Sequence, residues 1–90
     1  NEQFKRYFPL WLKKVMGEGR FKALCFEEDT GLANSHFYHF IKGIHIPTEK
    51  TFDRIAEAYN TSYEDFAKFA KLEDIKKEVL FDRTLRHEKT

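Results

Sequence analysis

Three histidines and a cysteine in the first half of the chain are the side chains best suited to metal chemistry. His36 and His39 stand three residues apart, a spacing that can bring two imidazoles to one metal ion, and His45 and Cys25 are near them in sequence. A structural zinc ion takes about four such ligands. No second cysteine or nearby carboxylate completes the set, and Cys25 falls on the inner face of a predicted helix. We therefore expect no metal and no cofactor.

The same side chains do not form a recognisable catalytic set. A nucleophilic cysteine needs a base and a third group that orients the base, and no such group is evident near Cys25. A chain of 90 residues forms one domain and buries only about 60–65% of its unfolded surface, which leaves little room for an enclosed active site. The sequence therefore predicts a binding domain and not an enzyme.

Helical periodicity dominates the sequence and predicts an all-α domain. The predicted helices are 4–16, 21–29, 34–42, 49–59 and a fifth that starts after Ser62. Pro9 interrupts the first pattern, so regular helix is expected to begin near Phe8 or to bend at the proline. Residues 1–72 form the predicted domain. Residues 73–90 form a tail that is either a sixth helix or a frayed extension.

Two of these helices have a predicted inner side. Phe21, Leu24, Cys25 and Phe26 are expected to face the core in the second helix. Phe37, Phe40 and Ile41 have the i, i+3, i+4 spacing of a core face in the third. This spacing leaves Ser35, His36, Tyr38, His39 and Lys42 outside. Below, the name outer face is used for five residues of this helix: Asn34, Ser35, His36, Tyr38 and His39.

The string from Gly31 to Phe66 resembles the helix-turn-helix domain of the XRE (lambda repressor/Cro-like) family. The matching positions comprise a turn glycine and the apolar residue after it, two apolar positions of the recognition helix, the glycine that ends it, and the start and core of the next helix. They are Gly31, Leu32, Phe37, Phe40, Gly43, Pro47, Thr48, Phe52, Ile55, Ala56, Tyr59 and Phe66, in register without a gap.

This resemblance implies a compact five-helix lambda repressor-like DNA-binding domain with a C-terminal helical extension, part of a bacterial or phage-type transcriptional regulator such as a repressor. It implies that the outer face reads base edges in the major groove of double-stranded operator DNA. The implied phosphate contacts are Lys22, Lys42 and His45, and the implied core of the motif is Gly31, Phe37, Phe40, Gly43 and Pro47.

Four positions depart from the family pattern. Lys22 stands where the family has a Ser or Thr that caps the second helix. Ala23 stands where the family has a phosphate-binding glutamine, Ala33 where it has a capping Ser or Thr, and Ile41 where Glu is common. Lys22 can supply charge in place of the missing glutamine. Asn34 is a candidate for capping its helix as well as for reading a base.

The charge balance bears on the strength of DNA binding. The formal net charge is +1, and basic residues concentrate in residues 1–20 and not on the third helix. Few phosphates are then neutralised, so a monomer is expected to bind DNA weakly. A homodimer, or a place in a longer chain, would raise the affinity, and the tail residues Ile75, Val79 and Leu80 are candidates for the dimer contact.

The near-neutral charge also supports an alternative, in which a helix-turn-helix fold serves as a protein-interaction module such as an antirepressor or an assembly adaptor. The acidic run Glu27–Asp29 is expected to be a solvated face that points away from phosphates. The sequence has no signal-peptide pattern and no apolar run long enough to span a bilayer, so a cytoplasmic location without membrane contact is expected.

Overall fold

The computed structural model describes the backbone of residues 2–89 and the side chains of residues 2–77. Five α-helices and one short 3₁₀ turn (Glu18–Arg20) make up this part of the chain, and it contains no strand. The helices are α1 (Glu2–Met16), α2 (Ala23–Thr30), α3 (Asn34–Ile41), α4 (Glu49–Ala58) and α5 (Tyr63–Lys89). The predicted all-α class is confirmed.

The first helix begins well before Phe8 and continues through Pro9. A proline inside a helix removes one backbone hydrogen bond, here the bond to the carbonyl of Lys5. Lys5 lies on the exposed side of α1, where water can replace that bond. The opposite side buries Phe8, Trp11 and Leu12, and burial of two large rings offsets the local cost of the proline.

An aromatic cluster connects four of the helices. Phe8 of α1 is at its centre, with ring centroids of Phe40, Phe52 and Phe66 between 5.5 and 6.2 Å away. Trp11 stacks on Phe52 at 5.3 Å. Most of these pairs are tilted or edge-to-face, the arrangement that aromatic rings prefer. The cluster therefore holds α1, α3, α4 and α5 around one core.

The ends of α3 and α4 are determined by local residue chemistry. Thr48 caps α4 by accepting a hydrogen bond from the amide of Thr51, as predicted. Gly43 follows α3 and Asn60 follows α4 with positive φ angles of 71° and 53°. After Gly43 the amides of Ile44 and His45 donate to the carbonyl of His39, and after Asn60 the amide of Thr61 donates to the carbonyl of Ala56. These bonds satisfy carbonyls that the helices themselves leave free.

Two predicted core positions are wrong. Leu24 is 67% exposed, since Ala23, Phe26 and Thr30 are the buried residues of α2. Ile41 is 37% exposed, because the rings of Phe37 and Phe40 fix the rotation of the short helix α3 and leave its neighbour at the edge. Cys25 is half-buried and packs against the core.

The fifth helix passes the predicted boundary near residue 72 without interruption. It is tied to α1 by the side chain of Asp74, which accepts hydrogen bonds from Tyr7 and from Gln3, the latter at 2.8 Å. Ile75 is exposed. The side chains of Val79 and Leu80 lie outside the described residues, so the dimer contact and the division at residue 72 stay predictions.

Candidate nucleic-acid interface

The turn between α2 and α3 is stabilised by its own residues. Gly31 has a φ of 75° and its amide donates to the carbonyl of Glu27 at 2.8 Å, which ends α2 in the left-handed conformation that glycine adopts readily. The hydroxyl of Thr30 donates to the carbonyl of Phe26 at 2.7 Å and accepts from the amide of Leu32 at 3.1 Å. These bonds define where α3 starts relative to α2.

Arg54 of α4 supports this turn from the side. Its Nε donates to the carbonyl of Thr30 at 3.0 Å. Its Nη2 lies so close to Gly31 that a Cβ added there would be 3.1 Å away. The guanidinium therefore occupies the space beside a residue that has no side chain, and α4 and the turn keep a close approach that a larger residue would disturb.

The acidic run at the end of α2 is not simply solvated. Asp29 is half-buried and forms an ion pair with Arg20 at 2.9 Å, and it also accepts a hydrogen bond from the Tyr59 hydroxyl at 3.0 Å. Burial and this hydrogen bond raise the pKa of Tyr59. The carboxylate of Asp29 raises the pKa of Arg20. Asp29 thus connects α2 both to the 3₁₀ turn and to the end of α4.

The orientation of α3 follows from its two buried rings. Phe37 and Phe40 are each 3% exposed. Phe37 packs against Phe21 at 5.0 Å and Phe26 at 5.6 Å, whereas Phe40 packs against Phe8 at 5.5 Å. Because both rings are held by neighbours from other elements, the side of α3 opposite to them is turned outward.

The outer face is accessible along the whole of α3. Its exposed members are Ser35, His36 and Tyr38, and its half-buried members are Asn34 and His39. Tyr38 keeps 52% of its surface exposed although its ring borders Phe37 at 5.9 Å. The five predicted residues therefore share one side of a short helix, with hydroxyl, amide and imidazole groups that can donate or accept hydrogen bonds.

A carboxylate caps the start of α3, a role that the sequence did not suggest. Ala33 stands at the cap position and supplies no side-chain bond, and the Asn34 amide instead donates to Oε1 of Glu27 at 3.3 Å. Negative charge is favourable at a helix N-terminus. It also puts an acid beside the first residue of the outer face. Glu27 is exposed, and the orientation of the acidic run relative to phosphates stays a prediction.

The other end of α3 carries two histidines in contact. The rings of His39 and His45 are 5.1 Å apart and nearly perpendicular. The amide of His45 donates to the carbonyl of His39 at 3.4 Å. With His36, both border a surface depression of about 360 Å³. No group of three or more metal-ligating side chains that could hold an ion occurs among the residues the structure describes.

The predicted phosphate contacts are all at the surface. Lys22, at the start of α2, and Lys42, at the end of α3, are exposed, and so is His45. Neither lysine forms an ion pair within the described part of the chain. Gly31 and Gly43 end α2 and α3 as expected, and Pro47 is buried at the entry to α4.

No protein-family model, curated protein or solved structure matches this chain. The likeness to the XRE family, and to the lambda repressor-like fold in particular, stays a prediction. Among the residues searched, no helix combines the length and apolar character needed to cross a membrane.

Proposed function

We propose that this chain is a sequence-specific DNA-binding domain of a bacterial or phage-type transcriptional regulator, with a lambda repressor-like arrangement and α3 as the recognition helix. One observation carries the proposal. The outer face is accessible along α3 while Phe37 and Phe40 anchor the other side at 3% exposure. A polar helix face backed by a rigid core is suited to the width of a major groove.

The chemistry of the outer face suits base edges. The side-chain carboxamide of Asn34 can pair with the two groups that adenine presents in the major groove, the N7 acceptor and the N6 donor. Ser35 and His36 can donate to or accept from bases and phosphates, and His39 follows one turn later. Lys22, Lys42 and His45 are the proposed phosphate contacts, the two lysines as permanent cations.

The small number of phosphate contacts limits the affinity of a single copy for DNA. Two lysine–phosphate contacts correspond to a slope of about −2 in a plot of log affinity against log salt concentration, which is shallow for a specific DNA-binding protein. Tight binding then requires two copies on half-sites about 34 Å apart. We propose a homodimer, or a second binding element in a longer chain, as the DNA-bound form.

Fluorescence anisotropy with mixed-sequence duplex DNA at low salt tests the proposal. We expect weak binding that Lys42→Ala reduces and that Lys71→Ala, on the exposed side of α5, leaves unchanged. Selection from a randomised duplex pool should then recover a preferred sequence, and Asn34→Ala should relax it. Absence of binding at about 50 mM salt, where phosphate contacts are strong, would refute the proposal.

One set of observations favours the alternative, a protein-interaction module. Tyr38, Ile41, Ile44 and Ile46 are all large apolar residues with 37–55% of their surface exposed at or after α3. The carboxylate of Glu27 beside Asn34 opposes a phosphate backbone at the other end of the helix. In this alternative, Ile44→Ser with Ile46→Ser abolishes capture of the partner and leaves the weak DNA binding unchanged.

A further inference from the structure

A cavity on the side of α4 carries an inference independent of the proposed DNA binding. It has a volume of about 440 Å³, within the range of small-molecule sites, and lies between the start of α1, the entry to α4 and the start of α5. Its lining is mainly apolar and consists of Phe4, Pro47, Thr48, Glu49, Phe52, Asp53 and Tyr63. No element of the motif resemblance accounts for it.

Three aromatic rings form the apolar part of this cavity. Phe52 is 4% exposed and closes the floor. Phe4 meets it edge-on at 5.8 Å and Tyr63 at 5.6 Å, with interplanar angles of 70° and 69°. Tyr63 leaves 58% of its surface in solvent at the rim. Trp11 stacks on Phe52 and Phe8 stacks on Phe4, so Tyr63 is the ring with the most surface open to a ligand. The face of an aromatic ring attracts cations.

The charge at the cavity has one sign. Glu49 and Asp53 are four residues apart on α4, so they lie on the same side of the helix and repel each other. Neither carboxylate has a hydrogen-bond or ion-pair partner among the described side chains, and no basic residue lines the cavity. A bound positive charge would reduce the repulsion between the two carboxylates. It would also be attracted to the aromatic rings.

We propose that this cavity binds a small organic cation, a quaternary or protonated amine with a compact apolar body. The apolar body occupies the space over Phe52, and the ammonium group faces the rings with Glu49 and Asp53 at the rim. A metal ion is a poor occupant, because the lining is mainly apolar and its three aromatic rings favour a weakly hydrated charge. A neutral apolar ligand leaves the two carboxylates unpaired.

The test compares choline with its neutral carbon isostere, dimethylbutanol, in which a tert-butyl group replaces the trimethylammonium. Binding is followed by the amide resonances of Glu49, Phe52 and Tyr63 in two-dimensional NMR spectra. We expect choline to bind at least about tenfold more tightly than the alcohol. Equal affinities, or no change with choline at millimolar concentration, would overturn the proposal.

Three variants separate the contributions. Glu49→Gln with Asp53→Asn keeps the shape of the site and is expected to reduce choline affinity about tenfold, while Tyr63→Leu keeps an apolar surface and removes one ring. Glu57→Gln, an exposed acid on α4 outside the cavity, is the matched control and should bind choline normally. All four positions are exposed, so folding is expected to be retained and is checked by circular dichroism.

Equal losses of choline affinity in the control and in the double variant would show only a general charge effect and refute the site. DNA titration of the same variants keeps this outcome distinct from that of the proposed function.

Discussion

Replacing Gly31 with alanine tests whether Arg54 restricts the turn before α3. Gly31 and Gly43 have nearly equal φ angles of 75° and 71°, so alanine in the left-handed region costs about 1 kcal/mol at either position. Alanine also stiffens the unfolded chain by the same amount in both variants, and this effect cancels in the comparison. The surroundings differ, because a Cβ at Gly43 meets nothing within 4 Å and one at Gly31 meets Arg54 Nη2 at 3.1 Å.

The difference between the two variants measures the cost of moving the guanidinium. If Arg54 swings away, its hydrogen bond to the Thr30 carbonyl is weakened or lost, at about 1 kcal/mol. Gly31→Ala is therefore expected to lower the free energy of unfolding by about 2 kcal/mol and Gly43→Ala by about 1 kcal/mol. For a domain of this size the extra loss corresponds to about 4–8 °C in Tm.

Urea denaturation of a double-mutant cycle provides the assay. In an Arg54→Ala background the contact is absent, so Gly31→Ala should cost no more than Gly43→Ala. The coupling between Gly31 and Arg54 is then about 1 kcal/mol, well above the deviation of about 0.3–0.5 kcal/mol found for independent sites. Equal losses for the two glycine variants in the native background, or an extra loss that persists without Arg54, would refute the reasoning.

Three further predictions concern other contacts. Thr48→Ala removes the cap on the Thr51 amide and should lower the free energy of unfolding by about 1 kcal/mol, whereas Thr48→Ser should restore most of it in the same urea assay. The hydrogen bond from Tyr7 lowers the pKa of Asp74. The Asp74 carboxylate therefore stabilises the fold at pH values above the ordinary aspartate pKa of about 3.9. This contribution is lost as the pH falls through the lower pKa of the folded state. The difference in urea midpoint between the native protein and Asp74→Asn should accordingly shrink on acidification, and a constant difference would contradict the assignment. His45→Ala removes a proposed phosphate contact at the surface, so DNA affinity should fall, and an unchanged affinity would exclude a phosphate role for His45.

Residues with a local structural role could be identified from the sequence. Thr48 as a cap, Gly43 as a helix stop and Asn60 in the left-handed conformation each depend on bonds within a few residues. The accessibility of the outer face followed from Phe37 and Phe40, whose spacing defines an inner side. A periodic pattern gives such information without knowledge of the remaining chain.

Contacts between distant segments could not be read in this way. Arg54 at the turn, Tyr59 on Asp29 and Tyr7 on Asp74 join residues 24, 30 and 67 positions apart, and no sequence pattern pairs them. Leu24 and Ile41 were placed inside because both are apolar, but the residues that α2 and α3 do bury orient each helix so that these two lie at the surface. The cavity beside α4 was also missed, because its rings come from three helices that are far apart in the sequence.

The aromatic cluster also determines when this chain can fold during its synthesis. Phe8 is made early, but three of its ring neighbours are Phe40, Phe52 and Phe66, and the last of these belongs to α5. Until Phe66 has left the ribosome, the apolar side of α1 has no complete partner and stays exposed, as in folding intermediates that are prone to aggregate. The turn and α3 involve mainly neighbouring residues and can form sooner. The helix α1 is thus translated before α2 to α5, yet it is among the last elements to reach its native packing.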